Sequence, residues 1–360
     1  VISKTATLFD LYAHCERPKG AKQSQKRDCF GTSCLVMTIF QQSRNDRYMA
    51  LTGLKEDALK LILFGGKGGV GKTTCASSAG LYLAKEGFKT LVISTDPAHS
   101  LSDSLGQKIG DEIKGVEGVK NLSALEVNAQ KAFSQFKVKY EAQIKKIFDT
   151  STYLDQEDID SFFALPIPGI DEVMGFKTII DLIEEAKFDK YIIDTAPTGH
   201  ALRLLTLPEL LDEWIKVLAR MRWKYRYIVE TFSGKYNPDE GDDFLVEMKK
   251  TVKKIEGLLK DQNKCEFIAV TIPEDMAILE TERLINNLNK YGIKVRQLAV
   301  NNVLESGDCQ FCRERSKAQE EYIKQIRRKF SNLKTTIIPL QSREVKGIEA
   351  LYKFSRRLFS

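Results

Sequence analysis

The stretch Gly65-Gly66-Lys67-Gly68-Gly69-Val70-Gly71-Lys72-Thr73-Thr74 decides the fold of this chain. It follows the apolar run Leu61-Ile62-Leu63-Phe64 and precedes a helical pattern from Cys75 to Glu86. Strand, glycine-rich loop and helix in this order are the context in which G-x-x-x-x-G-K-[ST] forms a phosphate-binding loop. Glycines let successive backbone N–H groups point inward, and the helix N-terminus adds positive potential. The sequence therefore predicts a nucleoside triphosphate site at residues 66–74.

Three side chains of this loop have predicted roles. Lys72 can reach the terminal phosphates, and the Thr73 hydroxyl can bind Mg²⁺. Lys67 is a second lysine inside the loop, and a solvated side chain is one interpretation of it. The pattern K-G-G-V-G-K-T, however, resembles the deviant phosphate loop of a class of dimeric ATPases, whose extra lysine stabilises charge on the partner's nucleotide.

Composition and charge bound the class of protein. The 360 residues are 42% hydrophobic and 29% charged, with a net charge of +6. This length supports one large domain or two ordinary ones, and the mild charge does not favour a nucleic-acid partner. No apolar run approaches the roughly 20 residues of a membrane span, and the N-terminus lacks a signal-like apolar segment. We therefore expect a cytoplasmic protein.

Residues 1–57 form an atypical N-terminal extension. The first 48 residues are basic, contain Cys15, Cys29 and Cys34, and show no sustained hydrophobic period. We interpret them as disordered or non-native sequence that precedes a start near Met49. An organelle-targeting leader is the alternative, because the stretch contains few acidic residues.

Beyond the loop, apolar strands alternate with helices, as in a parallel sheet covered on both faces. The predicted strands are short and apolar on both faces. They are Lys60–Phe64, Thr90–Thr95, Ser123–Val127, Tyr191–Asp194, Glu266–Thr271, Val295–Val300 and Thr335–Pro339. The predicted fold is α/β: a doubly wound, mostly parallel sheet of the P-loop NTPase type with an inserted α-helical subdomain.

The predicted ATPase core comprises residues 58–129, 185–203 and 264–360. The predicted helical subdomain comprises residues 130–184 and 204–263. In its second part, apolar residues recur every three or four positions and predict one buried stripe; they are Leu211, Trp214, Leu218, Met221, Tyr225 and Ile228. The other faces carry Lys216, Arg220, Arg222, Lys224 and Arg226, with Trp223 and Tyr227 among them. Such a helix either packs on its own domain or forms one wall of a groove for an apolar helical ligand.

Two predicted strands lead directly into a carboxylate. Asp96 follows the second strand in Thr95-Asp96-Pro97-Ala98-His99-Ser100, and Asp194 ends an apolar strand before Thr195-Ala196-Pro197-Thr198-Gly199-His200. Asp194 can hold Mg²⁺ through its water shell, and Asp96 can orient the water that attacks the γ-phosphate. A helix N-cap is the alternative role for Asp96.

Cys309 and Cys312 form the only C-x-x-C among seven cysteines. The odd total argues against a disulfide framework. Zn²⁺ takes four ligands, so two chains that meet at a two-fold axis would complete a Cys₄ site. A redox pair and two unliganded thiols are the alternatives.

These motifs together resemble the arsenical pump-driving and tail-anchored-protein-targeting ATPase family. The loop around Lys67, the segment after Asp96 and the segment from Asp194 to Arg203 carry the resemblance, and further segments match in order. They are Pro168–Glu172, Leu279–Arg283, Val300–Asn302 and Pro339–Leu351, with Glu344 and Gly347. The resemblance extends from about residue 58 to the C-terminus.

The resemblance implies a homodimer that encloses two ATP molecules, closes around ATP and opens after hydrolysis. Lys67 then acts across the interface, whereas Lys72 acts within the subunit. Asp96 positions the water in a first switch, and residues 194–199 form a second switch. Asn301 matches the residue that reads adenine.

Further roles follow from the same resemblance. Glu280 matches a residue near the partner's nucleotide, and Pro339 belongs to the nucleotide site. The implied function is capture, shielding and release of tail-anchored membrane proteins, with a membrane receptor or pump as a further partner. The second helical region contains two methionines, Met221 and Met248, whereas targeting members of the family carry a Met-rich apolar insert there.

Two alternatives remain open at this point. The first is the ATPase subunit of an arsenite or antimonite efflux pump, although the chain has no cysteine between Cys75 and Cys265. The second is a partition or septum-positioning ATPase that binds DNA or membrane. The basic C-terminal stretch Ile348–Phe359 would suit lipid contact, but that class lacks the C-x-x-C and the segment after Asp96.

Overall fold

The computed structural model describes residues 50–96, 100–151, 170–195, 198–305 and 309–359. The strands are β1 (Leu61–Gly65), β2 (Thr90–Ser94), β3 (Lys114–Gly115), β4 (Leu122–Glu126), β5 (Lys190–Asp194), β6 (Cys265–Thr271), β7 (Val295–Val303) and β8 (Lys334–Pro339). The helices are α1 (Lys72–Lys85), α2 (Ser100–Leu105), α3 (Ala129–Ser151), α4 (Ile170–Glu184), α5 (Thr198–Ser233), α6 (Glu240–Lys260), α7 (Asp275–Lys290), α8 (Gln310–Lys329) and α9 (Ile348–Phe359).

The described strands form one sheet in the order β3-β4-β2-β5-β1-β6-β7-β8. Neighbouring strands are parallel except for β3 and β4, which are antiparallel. All seven predicted strands are present, with ends displaced by up to three residues. The sequence did not reveal β3, because two exposed residues carry no hydrophobic period. The predicted mostly parallel α/β sheet is confirmed.

Alternate residues of each strand pack on opposite faces of the sheet, as the period of two requires. In β1, Leu61 and Leu63 belong to one apolar cluster, whereas Ile62 and Phe64 belong to a second. Helices α1 and α9 cover the second face, and Tyr82 of α1 stacks on Phe359 of α9 at a centroid distance of 4.0 Å. Burial on both faces explains why these strands are apolar throughout.

Helices α3 to α6 extend the first cluster away from the sheet. Tyr140 of α3 lies 4.9 Å from Phe136 and 5.1 Å from Phe244 of α6, measured between ring centroids. These rings and the β1 residue Leu63 belong to one continuous buried cluster. Movement of these helices relative to the sheet would therefore disturb a shared core.

The buried face of α5 differs from the predicted stripe. Leu218 is buried as predicted, but Ile228 is exposed and Arg222 is buried. The Arg222 guanidinium pairs with Asp239, the N-cap of α6, and, at 3.2 Å, with Asp242 in the first turn of α6. The prediction was wrong for Arg222 because carboxylates distant in sequence neutralise it, as a buried cation requires. The side chains of Leu211, Trp214 and Met221 lie outside the described residues.

Candidate functional site

The glycine-rich loop connects β1 to α1 and depends on glycine at several positions. Gly69 and Gly71 have φ angles of 81° and 93°, which side chains disfavour. A Cβ on Gly66 would lie 2.1 Å from the Val270 carbonyl oxygen, and one on Gly71 would lie 2.3 Å from Nδ2 of Asn301. The loop is thus packed against β6 and β7 as well as curled on itself.

Lys72 is the buried cation of this loop. Its Nζ donates a hydrogen bond to the Lys67 carbonyl oxygen at 3.1 Å. Burial lowers the pKa of Lys72, while the nearby carboxylates of Asp194 and Asp96 raise it in opposition. The ammonium group therefore lies between the loop backbone and two carboxylates, the predicted catalytic Asp96 and the predicted Mg²⁺ ligand Asp194.

Asp194 has the surroundings of a residue that takes a further partner. Its Oδ2 accepts hydrogen bonds from Oγ1 of Thr73 at 2.7 Å and from Oγ of Ser94 at 3.3 Å. Its Oδ1 is buried and has no hydrogen-bond partner. Burial raises the pKa of Asp194 to about 6. A carboxylate oxygen beside a threonine hydroxyl suits hydrated Mg²⁺, which prefers oxygen ligands and keeps several of its waters.

Ser94 connects the predicted catalytic Asp96 to the predicted Mg²⁺ ligand Asp194. Its Oγ donates to Asp194 and accepts a hydrogen bond from the backbone N–H of Asp96 at 3.2 Å. Strands β2 and β5 are adjacent, so both carboxylates lie at the carboxyl edge of the sheet beside the phosphate loop. Ligands bind at this edge in open α/β sheets. Residues 97–99, which include His99, lie outside the described residues.

The segment after Asp194 leads directly into α5. The Thr195 hydroxyl donates to the Phe64 carbonyl oxygen at 2.9 Å, which ties the start of this segment to the end of β1. Residues 196–197 are outside the described residues, and α5 begins at Thr198. The matched residues Pro168 and Gly169 are likewise outside them.

Lys67 and Glu280 lie side by side. Lys67 Nζ is 3.7 Å from a carboxylate oxygen of Glu280, which belongs to α7. Both side chains are partly exposed, so the pair is accessible to solvent and to a second molecule. The two residues with predicted roles toward a partner's nucleotide are thus neighbours on one surface.

Asn301 lies near the end of β7, where the register with β8 is irregular. Its Nδ2 donates to the Val70 carbonyl oxygen at 3.0 Å, which fixes the orientation of the amide. Its Oδ1 is buried and has no hydrogen-bond partner. The side chain therefore presents an acceptor that suits an amino group.

A cavity of about 700 Å³ adjoins the phosphate loop. Its lining comes from the loop and α1, from α2, from the end of β7, from the segment that follows β8 and from α9. The residues are Gly69, Gly71, Thr73, Thr74, Ser100, Asp103, Ser104, Asn301, Asn302, Leu340–Lys346 and Phe354. Pro339 is not in this lining, but the segment directly after it is. Sequence reasoning missed Asp103 and Ser104, although their position just after Asp96 was an available signal.

Cys309 and Cys312 lie at the N-terminus of α8. The Cys312 backbone N–H donates to the Cys309 sulfur at 3.2 Å, and neither cysteine forms a disulfide. Among the described residues, no group of three or more His, Cys, Asp or Glu side chains could hold a metal ion. The pair by itself offers two of the four ligands that Zn²⁺ requires.

A phosphate loop followed by two strand-end carboxylates on a mostly parallel sheet defines a P-loop ATPase. The model of the anion-transporting ATPase family, ArsA_ATPase, matches residues 59–360. The chain belongs to this family. The predicted family and the predicted ATPase class are confirmed.

Two relatives that are named as ATPases align with this chain over most of their own length. ATPase ASNA1 homolog 1 of Paramecium tetraurelia is 38% identical over 314 residues, which cover 85% of this chain and 94% of the relative. ATPase get3 of Botryotinia fuckeliana is 34% identical over 317 residues, which cover 85% of this chain and 92% of the relative. In the described part of the chain, no helix has the length and hydropathy needed to cross a bilayer.

Proposed function

We propose that this ATPase works as a cytoplasmic homodimer that captures, shields and releases tail-anchored membrane proteins. The observation that carries the proposal is the buried Asp194, one oxygen of which has no partner, beside Thr73 and the phosphate loop. A buried polar atom of this kind requires a partner that the folded chain does not supply. Mg²⁺ with ATP is the ligand that this chemistry and the family both favour, and it would polarise the phosphates when bound.

Four residues divide the work on the triphosphate. Lys72 neutralises charge on the phosphates within the subunit, and its buried position makes that interaction strong. Asp194 and Thr73 hold Mg²⁺, the aspartate through water. Asp96, tied to Asp194 through Ser94, orients the attacking water. Its carboxylate is partly exposed, which allows water to reach it.

Dimerisation would exchange the partner of Lys67. In one chain Lys67 lies 3.7 Å from Glu280, at a distance where solvent weakens the ion pair. A triphosphate of a second subunit offers more charge than one carboxylate. Closure would move Lys67 from Glu280 to that nucleotide, so hydrolysis would require two chains.

Adenine selection follows from the orientation of Asn301. Because its Nδ2 is committed to Val70, its Oδ1 must accept a hydrogen bond. The N6 amino group of adenine can donate such a bond, whereas O6 of guanine cannot. We assign the cavity beside Asn301 to the base and ribose of ATP, with contributions from the segment after Pro339.

The helical subdomain, residues 130–184 and 204–263, is the proposed client site. Helix α5 begins four residues after Asp194, so a change at the second switch passes directly into its 36 residues. Its outer surface exposes Trp223, Tyr227 and Phe232. Exposed aromatic residues on a helix suit an apolar transmembrane helix as ligand. A membrane receptor would accept the released client.

An interfacial zinc site would stabilise the dimer. Cys309 and Cys312 lie together at the start of α8 and are accessible in part. The same pair from a second subunit would complete four thiolate ligands. Cys309→Ser should therefore lower both the zinc content and the dimer fraction, and unchanged metal stoichiometry would exclude the site.

Capture of clients by a hydrolysis-defective variant tests the proposed function. Asp96→Asn should bind ATP yet remain in the closed dimer, and mass spectrometry of co-purified proteins should identify C-terminal membrane helices. Lys72→Ala, which removes phosphate binding, is the matched control and should release them. Rapid hydrolysis by Asp96→Asn would refute its role. Arsenite-stimulated hydrolysis without bound helices would support the efflux-pump alternative instead.

A further inference from the structure

Glu126 is a buried carboxylate outside the motifs discussed so far. It is 5% exposed and ends β4, directly opposite Ser94 in the parallel ladder with β2. Ser94 in turn contacts Asp194 and the backbone of Asp96. Glu126 therefore lies on the strand next to β2, which leads into Asp96, and two strands from β5, which carries Asp194.

The carboxylate of Glu126 is directed at α2. Its Oε1 accepts from the Ser102 backbone N–H at 2.8 Å, and its Oε2 accepts from the Ser102 hydroxyl at 2.9 Å. The Ser102 oxygen also accepts from the backbone N–H of Ile109 at 3.1 Å, and the Glu126 N–H donates to Gly110 at 2.9 Å. Charge-assisted bonds of this kind are roughly twice as strong as neutral ones.

Helix α2 is also held on its other sides. Ser100 Oγ lies 3.3 Å from Thr73 Oγ1, and Ser104 Oγ donates to Ser77 Oγ at 3.3 Å, so α2 contacts α1 twice. The Gly347 N–H donates to the Ser104 carbonyl oxygen at 2.8 Å, which joins α2 to the segment that lines the base side of the cavity. Helix α2, which begins four residues after Asp96, is thus fixed by β4, by α1 and by the segment after β8.

We infer that Glu126 is a positioning residue for ATP hydrolysis, which acts through Ser102 to fix α2 and thereby the segment that carries Asp96. The Asp96 backbone is held by Ser94, and α2 begins four residues further along the chain. Without Glu126, two half-buried donors on Ser102 lose their acceptor, and α2 would shift to satisfy them. A small displacement of a water-orienting carboxylate is costly for turnover, whereas phosphate binding by the glycine loop is unaffected.

A double-mutant cycle on the full-length chain tests this inference. Glu126→Ala should lower kcat by about tenfold while the Kd for a non-hydrolysable ATP analogue changes by less than about threefold. Ser102→Ala should have a similar effect, and the double variant should be no worse than either single one. Glu126→Gln, whose amide oxygen still accepts from the Ser102 N–H, should restore part of the rate.

Glu266→Gln is the matched control, because Glu266 is an equally buried carboxylate at the opposite edge of the same sheet. It should lower the melting temperature without changing kcat. If Glu126→Ala does not fold, Ser102→Ala alone still tests the idea, because it removes the hydroxyl that donates to Glu126 and accepts from Ile109 but keeps the backbone N–H bond to Glu126. The inference would be overturned by a normal kcat in folded Glu126→Ala or Ser102→Ala. It would also be overturned if the two effects on kcat multiplied in the double variant, or if ATP binding were lost in parallel with kcat.

The inference rests on the proposed role of Asp96, and different results would refute the role of Asp96 and the role of Glu126. Normal hydrolysis by Asp96→Asn would refute the proposed role itself. An inactive Asp96→Asn together with a normal Glu126→Ala would refute only the positioning role of Glu126.

Discussion

Asp194 and Glu266 are two buried carboxylates on the strands that flank β1, yet their surroundings differ. Asp194 pairs in register with Phe64 at the carboxyl edge of the sheet, whereas Glu266 pairs with Ile62 nearer the opposite edge. Both oxygens of Glu266 are bonded, one to Gln297 at 3.3 Å and the other to Arg296. One oxygen of Asp194 has no partner. The first arrangement stabilises the fold, and the second is completed by a ligand.

The buried lysines of the two edges show the same contrast. Lys190, at the start of β5, donates through Nζ to the carbonyl oxygens of Leu59 at 2.7 Å and Glu56. Among the described residues, Lys72 Nζ has one hydrogen bond, to Lys67. The amino edge of the sheet satisfies its own charges, and the carboxyl edge leaves charge and hydrogen-bonding capacity for a nucleotide.

The largest expected effect comes from Lys67 at the carboxyl edge. Lys67→Ala should leave ATP binding largely intact but lower kcat by about a thousandfold, the order expected for a cation supplied in trans. Steady-state hydrolysis and nucleotide binding would be measured on the same preparation. Lys190→Met is the control, since it should destabilise the protein without affecting turnover of the folded fraction. Near-normal hydrolysis by Lys67→Ala would exclude the trans-acting role.

Asp194→Asn should reveal the stability cost of the unpartnered carboxylate. Its folded pKa of about 6 is raised above the ordinary 3.8, so the folded protein binds the proton more tightly than the unfolded chain. Stability therefore falls as the pH rises from about 4 to about 6. At pH 7.5 the nucleotide-free variant should be more stable than the unaltered protein, by at most about 3 kcal/mol.

Denaturant titrations across pH check this prediction. The advantage of Asp194→Asn should shrink as the pH falls below about 6 and should disappear below about pH 3, where Asp194 is protonated in both the folded and the unfolded state. Mg²⁺ with ATP should stabilise the unaltered protein more than the variant, because the amide cannot hold the cation as the carboxylate does. Equal stability of the two proteins at every pH would contradict a penalty at this site.

Glu266→Gln, at the amino edge, should lower the free energy of unfolding, the opposite of the effect expected for Asp194→Asn. It removes the charge that compensates the half-exposed Arg296, and the free energy of unfolding should fall by roughly 1 to 3 kcal/mol. Urea unfolding measures this loss, and ATP affinity should not change. A variant with weakened ATP binding would show that the two edges are coupled.

The sequence was sufficient for features that depend on local pattern. Short apolar runs located the parallel strands. Asp96 and Asp194, at or just past the carboxyl ends of two of them, were chosen because parallel strands gather these ends at one edge. Asn301 was chosen because it matches a position of the family. Features that depend on distant partners were not predictable. Nothing near Arg222 in the sequence indicates that Asp239 and Asp242 bury it. The bonds from Glu126 to Ser102 likewise join residues 24 positions apart without a periodic signal.

The smallest expected effect concerns Asn301 and the choice of base. Asn301→Ala removes both the bond to Val70 and the acceptor on Oδ1, so the preference for ATP over GTP should fall by about tenfold. Competition of both nucleotides against a fluorescent ATP analogue gives the ratio of their Kd values. Asn302→Gly is the matched control, since Asn302 lines the same cavity and its φ of 57° suits glycine. If the control loses selectivity and Asn301→Ala retains it, the unpartnered oxygen of Asn301 is not what reads the base. The contrast between the edges would then rest on Asp194 and Lys72.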